Sequence, residues 1–167
     1  VQQIDETITA ITDEFGNFGV QNALSGGKWV IKAHGVDAFT GKVINSDMYA
    51  SVGSSVITPF TTLTAFGGNQ ASIIKAFNLE QVLTDAGVTD LGSFDPMKAM
   101  SSMNAALKAA GAAVFTAQQV VMSLIQSGDN LGKQFDVNVI DAINQAINEV
   151  GSDQYVPPAG QTEDVQR

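Results

Sequence analysis

At 167 residues and 44% hydrophobic content, the chain is long and apolar enough to bury one core without a covalent staple. Seventeen acidic against eight basic residues leave a formal charge of −9, so no basic patch is available to bind nucleic acid or an anionic membrane by counterion exchange. The absence of cysteine excludes disulfides, thiolate metal sites and cysteine nucleophiles.

The chain opens on Val1, with no initiator Met and no basic-then-apolar leader, which suits a processed chain or a domain excised from a larger protein. No run of about 18 apolar residues is free of polar interruption, so no membrane span is expected. In "VQQIDETITAITDEFGNF", Ile4, Ile8, Ile11 and Phe15 recur at helical spacing and predict an amphipathic packing helix that ends near Gly16. Its acidic polar face argues against a membrane-surface helix.

Residues 17–57 break that period. Short β-prone pieces at Trp29–Ile31 and Lys42–Ile44, between glycines, predict a small β-hairpin near residues 28–45 or an ordered crossing loop. Trp29, Phe39 and Tyr49 are its expected anchors.

From Thr58 the helical signal dominates. Thr58 as cap and Pro59 at the first helical position start a short helix that stops at Gly67-Gly68. On this reading "GSSVITPFTTLTAFGG" is a junction into the helical part, with no chemistry of its own. Asn69 caps a second helix carrying Ile73, Ile74 and Phe77, and "NLEQVLTDAG" makes a further turn or two closed by Gly87. Asp95 and Pro96 then begin the longest helix, with a buried seam of Met100, Met103, Leu107, Ala110, Val114, Ala117, Val121 and Leu124. Alanines and Gly111 crowd that helix, so a neighbouring helix is expected to approach it closely. Ile140, Ile143, Ile147 and Val150 mark a final amphipathic helix. Residues 153–167, with paired prolines, read as a flexible tail or linker.

Few constellations carry chemistry. His34 is the only histidine, which removes paired-histidine metal sites. No serine sits in GxSxG, and the glycine pairs match no nucleotide-binding fingerprint. Asp85, Asp90 and Asp95 fall five apart in "TDAGVTDLGSFDP", a loop whose oxygens could converge on Ca2+, although Asp95 is already explained as a helix cap and the others as turn residues. Trp29, Phe39, Met100 and Met103 are candidates to line an apolar cavity for a small ligand or pigment, with core packing as the structural alternative.

The order "FTGKVINSDMYAS", "VITPFTTLTAF", "IIKAFNLEQVLTDAGVTDLGSFDPMKAM" and an alanine-rich helix resembles a helical module of large secreted or surface-attached modular bacterial proteins, adhesin-like and calcium-associated. In those proteins a "VTPLTTL" ending precedes a unit with an "LGL…DL…(Y/F)DP" pattern. The matching residues are Val56 to Leu63, Phe77-Asn78-Leu79, Asp90-Leu91 and Phe94-Asp95-Pro96, within roughly residues 38–127. Phe60 stands where leucine is usual and Asn78 where glycine is usual. The resemblance implies an extracellular spacer, adhesive or ligand-presenting role beside neighbouring domains, and it transfers no catalytic residue.

The sequence therefore predicts a mainly α fold: residues 1–152 as one compact bundle of four to six helices with a small β-hairpin. The expected function is a non-enzymatic structural or binding module of a bacterial cell-surface or secreted protein, stabilised by Ca2+ if the acidic loop binds it. The alternative is a carrier of a small hydrophobic ligand. Expected partners are neighbouring domains or a surface ligand. Apolar residues on the first and last helices could support a homodimer or simply fill a monomeric core.

Overall fold

Four short strands precede six helices among the residues described: β1 (Lys28–Ile31), β2 (Gly35–Val36), β3 (Val43–Ile44), β4 (Met48–Ser51), α1 (Pro59–Ala65), α2 (Gln70–Ala76), α3 (Glu80–Asp85), α4 (Pro96–Met100), α5 (Ala105–Asp129) and α6 (Val137–Val150). The structure is a computed structural model that describes residues 13, 17–19, 28–31, 35–36, 40–41, 43–44, 46–51, 53–129 and 137–152. The expected N-terminal helix, His34, Phe39 and the 153–167 tail lie outside the described residues, as does the side chain of Trp29.

β1 pairs antiparallel with β4, from Lys28 opposite Ser51 to Ile31 opposite Met48, and β2 pairs antiparallel with β3. Partner numbers add to the same value in both two-stranded pairings, so β1–β4 and β2–β3 share one antiparallel register, that of a β-ribbon with β2–β3 nearer its turn. The ribbon extends beyond the hairpin expected near residues 28–45, because its return strand runs on to Ser51. Met48 and Ala50 are buried while Ser51 is exposed, and α1 packs on β4.

α1 begins as its sequence demands. Thr58 is extended and its hydroxyl accepts from the Thr61 amide at 3.2 Å, while the Thr58 amide donates to Thr61 Oγ1 at 2.7 Å. This is a reciprocal capping box in which threonine replaces the usual glutamate. The same hydroxyls reach the strand: Tyr49 N donates to Thr62 Oγ1 at 2.9 Å, and Thr61 Oγ1 donates to Tyr49 O at 2.9 Å. Tyr49 packs edge-on against Phe66, with centroids 5.1 Å apart at 84°. Burial, and then the Asp47 carboxylate, raise the Tyr49 pKa, so the phenol stays neutral.

Gly67, at φ +91°, ends α1 in a backbone conformation that a side chain would strain. Asn144 of α6 supplies the remaining cap: its buried amide nitrogen donates to Leu63 O at 3.2 Å and Phe66 O at 3.4 Å. Asn69 caps α2 through Ala71 N and Ser72 N. Asn78, between α2 and α3, has φ +52°, where asparagine is the best substitute for glycine.

The expected single long helix is two. Asp95 caps α4 as anticipated, but α4 ends after Met100, and Ser102 Oγ accepts from Asn104 N at 3.1 Å. Asn104 Oδ1 accepts from Ala106 N at 2.9 Å and Leu107 N at 3.2 Å, which caps α5 afresh. Ser101, Ser102 and Asn104 offer the backbone side-chain hydrogen bonds that compete with helix continuation. The buried seam is corrected accordingly: Ala110, Val114, Ala117, Val121 and Ile125 are buried, whereas Met103 is fully exposed and Leu124 is 48% exposed.

α5 is the axle of the bundle, in contact with α1, α3, α4 and α6. Its inner residues meet Phe60, Leu63, Leu83, Phe94 and the α6 face of Ile140, Ile143 and Ile147 in one core cluster. By length and composition Ala105–Ser127 is apolar enough to cross a membrane, which the sequence reading did not anticipate, although its inner face forms this core. The expected close approach falls at Gly111, where a Cβ would lie 2.7 Å from Pro96 O and 2.8 Å from Met100 N.

Gly111→Ala gains about 1 kcal/mol of helix propensity but forces α4 outward, and overpacking of this kind costs roughly 1–3 kcal/mol. Urea denaturation should therefore find the variant less stable, and equal or greater stability would remove the close-approach argument. Thr62→Val keeps the shape but removes the hydroxyl that the Tyr49 amide uses, so unfolding stability should fall by about 1–3 kcal/mol.

Candidate functional site

A cleft of about 320 Å3 opens where the end of β4, α1, the start of α2 and the 90–92 turn meet. Phe60 and Leu91, both buried, are the apolar residues of its lining. Ser51, Ser54, Thr61, Thr64 and Gln70 bring hydroxyl and amide groups, and Asp90 brings a carboxylate.

Local sequence explains each placement. Thr61 and Thr64 are one helical turn apart on α1 and share one side of it, with Thr61 buried at the base of the cleft and its hydroxyl held by Tyr49 O. The segment between β4 and α1 is tied across the cleft by Ser55 N and Val56 N, which donate to Gly92 O at 2.9 and 3.3 Å. Gln70 braces the opposite wall: its amide nitrogen donates to Thr89 O at 3.1 Å, and its Oε1 accepts from Leu91 N at 2.9 Å.

Asp90 folds its own turn. One carboxylate oxygen accepts from Gly92 N at 2.9 Å and the other from Ser93 Oγ. These bonds, the Ser93 hydroxyl first, hold its pKa below the ordinary carboxylate value. The group is therefore ionised at neutral pH and unsuited to general-acid work there. With a carboxylate and no cationic side chain in its lining, the cleft disfavours an anion.

The residues singled out from sequence are not gathered at this cleft. Asp90 lines it, but Asp85 accepts from Gln81 Nε2 at 2.7 Å on α3 and Asp95 is spent on the amides of Met97 and Lys98. Among the described residues no group of three His, Cys, Asp or Glu side chains comes together to hold a metal ion. Met100 is half-buried on α4, and Met103 stands in solvent between α4 and α5. The small-residue face of α5 at Gly111 is filled by the α4 backbone, which leaves no room there for a ligand.

Sequence reasoning missed Ser51, Ser54, Thr64 and Gln70. The available signal was the run of hydroxyls in "GSSVITPFTTLT", which reads as capping until the fold brings the 90–92 turn against it. No family model, curated protein or solved structure matches the chain.

The Asp90 turn has a pH signature. Its carboxylate pKa is lowered by folding, so its stabilisation is fully present above the ordinary value of 3.8 and is lost as pH falls through the lower folded value. Asp90→Asn should narrow its stability deficit against the parent chain as the pH is taken below that ordinary value. A deficit that stayed constant through acid denaturation would refute this account.

Proposed function

We propose that the chain is a non-enzymatic structural or binding module of a larger bacterial surface or secreted protein, one that holds or presents its neighbours and offers the hydroxyl-lined cleft as a contact site. The observation that carries this reading is where the polar side chains spend their hydrogen bonds. Thr61 and Thr62 join α1 to β4, while Thr58, Asn69, Asp95 and Asn104 cap helices. Gln70 and Asn144 bridge elements, and Asp90 closes its own turn. Groups used in this way build a rigid unit with fixed edges, which is what a spacer or presenting module requires.

The ordered matches from Val56 to Pro96 support the extracellular placement, and the acidic net charge is compatible with a surface protein that must stay dispersed. Calcium belongs to this reading as a ligand to be tested, with Asp85, Asp90 and Asp95 as the residues to examine. Since each already has a local hydrogen-bond role, a bound ion would compete with those bonds.

Native mass spectrometry of the full chain, as purified and after chelation, tests the reading directly. The module reading expects the bare polypeptide mass in the chelated sample. Calcium present only before chelation would add a structural ion to the module. A retained organic mass would overturn the reading in favour of a carrier.

A further inference from the structure

We infer that the solvent-facing side of α5 is the interface of a two-fold homodimer in which the two α5 helices cross antiparallel. The face comprises Ala105, Ala109, Ala112, Thr116, Val120 and Leu124, all exposed, with Val120 at 49% and Leu124 at 48%. On a chain of net charge −9, residues 105–128 carry no carboxylate and only one charge, Lys108. Like-charged copies repel one another, so a nearly neutral strip is where a second copy can approach at least cost.

The hydroxyls on this side do not make it polar. Thr116 Oγ1 donates to Ala112 O at 2.9 Å, Ser123 Oγ to Gln119 O at 2.8 Å and Ser127 Oγ to Ser123 O at 2.7 Å. Each hydroxyl proton is spent on its own helix, four residues back, and a partner would meet methyl and methylene groups without stranding a donor.

The shape of the strip selects a second copy as its occupant. Alanine dominates the N-terminal half, and valine and leucine the C-terminal half. An antiparallel crossing centred on Thr116 sets Ala112 opposite the partner's Val120 and brings the partner's Leu124 over the Lys108 stem beside Ala109, and the two-fold axis repeats both contacts. A parallel crossing would set alanine against alanine and leave a gap. The ribbon tip extends the match: Gln126 Nε2 donates to Val43 O at 3.3 Å, which brings the exposed Val36 and Val43 to the C-terminal end of α5. In the antiparallel dimer that end meets the partner's N-terminal end, beside which Met103 is fully exposed.

Sedimentation velocity of the full chain over a wide concentration range should find a dimer, and Val120→Glu with Leu124→Glu should shift it to monomer. Circular dichroism would establish that the variant stays folded, as exposed positions permit. Because the chain has no cysteine, crosslinking gives a second, independent readout. Thr116→Cys should oxidise to a disulfide dimer roughly tenfold or more faster than the exposed control Asp141→Cys, since the two-fold axis holds the paired thiols at high effective concentration. A monomer at all concentrations, or a Thr116→Cys rate equal to the control, would overturn the inference. So would a monomer that co-sediments with phosphatidylcholine vesicles, which would assign the face to lipid.

Discussion

The structure from Thr58 onward depends on two threonine hydroxyls meeting one strand residue. Tyr49 turns its amide and carbonyl away from β1, so β4 would present an unpaired edge to any passing strand. Thr62 and Thr61 take those two groups instead. Thr61 also belongs to the capping box, so the start of α1 and its seat on the ribbon are set by the same side chain. The alternation of hydroxyls and bulky residues in "TPFTTLT" is then a division of labour around one turn of helix. Phe60 and Leu63 enter the core, Thr61 and Thr62 hold the strand, and Thr64 lines the cleft.

Once α1 is seated, the remaining helices have few choices. Asn144 reaches the end of α1 only if α6 lies across it, and its bonds to Leu63 O and Phe66 O fix that approach. α5 must then run beneath both, and its contact with α4 at Gly111 admits no intervening side chain. The inner side of α5 is consumed by this packing. Among the described residues that leaves its outer side without a packing partner although it carries a single charge, a combination uncommon on a surface helix.

Much of this was legible because it is local. Thr58-Pro59, Asn69, Asp95-Pro96 and Gly87 announce helix limits through capping chemistry that acts within four residues. The Ile140, Ile143 and Ile147 stripe announces the buried face of α6 through its period alone. What escaped was either a competition or a long-range contact. The break at residues 101–104 was hidden because the apolar spacing continued through Met103 while Ser101, Ser102 and Asn104 had the stronger local bonds. Asn144 sits one position beyond Ile143 in that stripe, and nothing in the linear pattern says that it caps a helix eighty-one residues earlier. The cleft was illegible for the same reason: Ser54 and Asp90 share a wall only after the chain has turned through α1, α2 and α3.

The cleft and the outer face of α5 bear on each other through what they do not share. No residue of α5 lines the cleft, which is built from β4, α1, the start of α2 and the 90–92 turn. The proposed pairing through α5 would therefore consume none of the cleft residues in either protomer and would place two copies of the cleft about the dimer axis. If the module presents so small and open a site, one copy would bind weakly because few groups are desolvated. Two sites on one rigid body convert the second contact into an intramolecular event, so avidity can exceed single-site affinity by orders of magnitude without any new contact within the cleft. On this argument the dimer face would set the strength of binding while the hydroxyl-lined cleft sets its specificity, and substitutions on α5 would alter the first without altering the second.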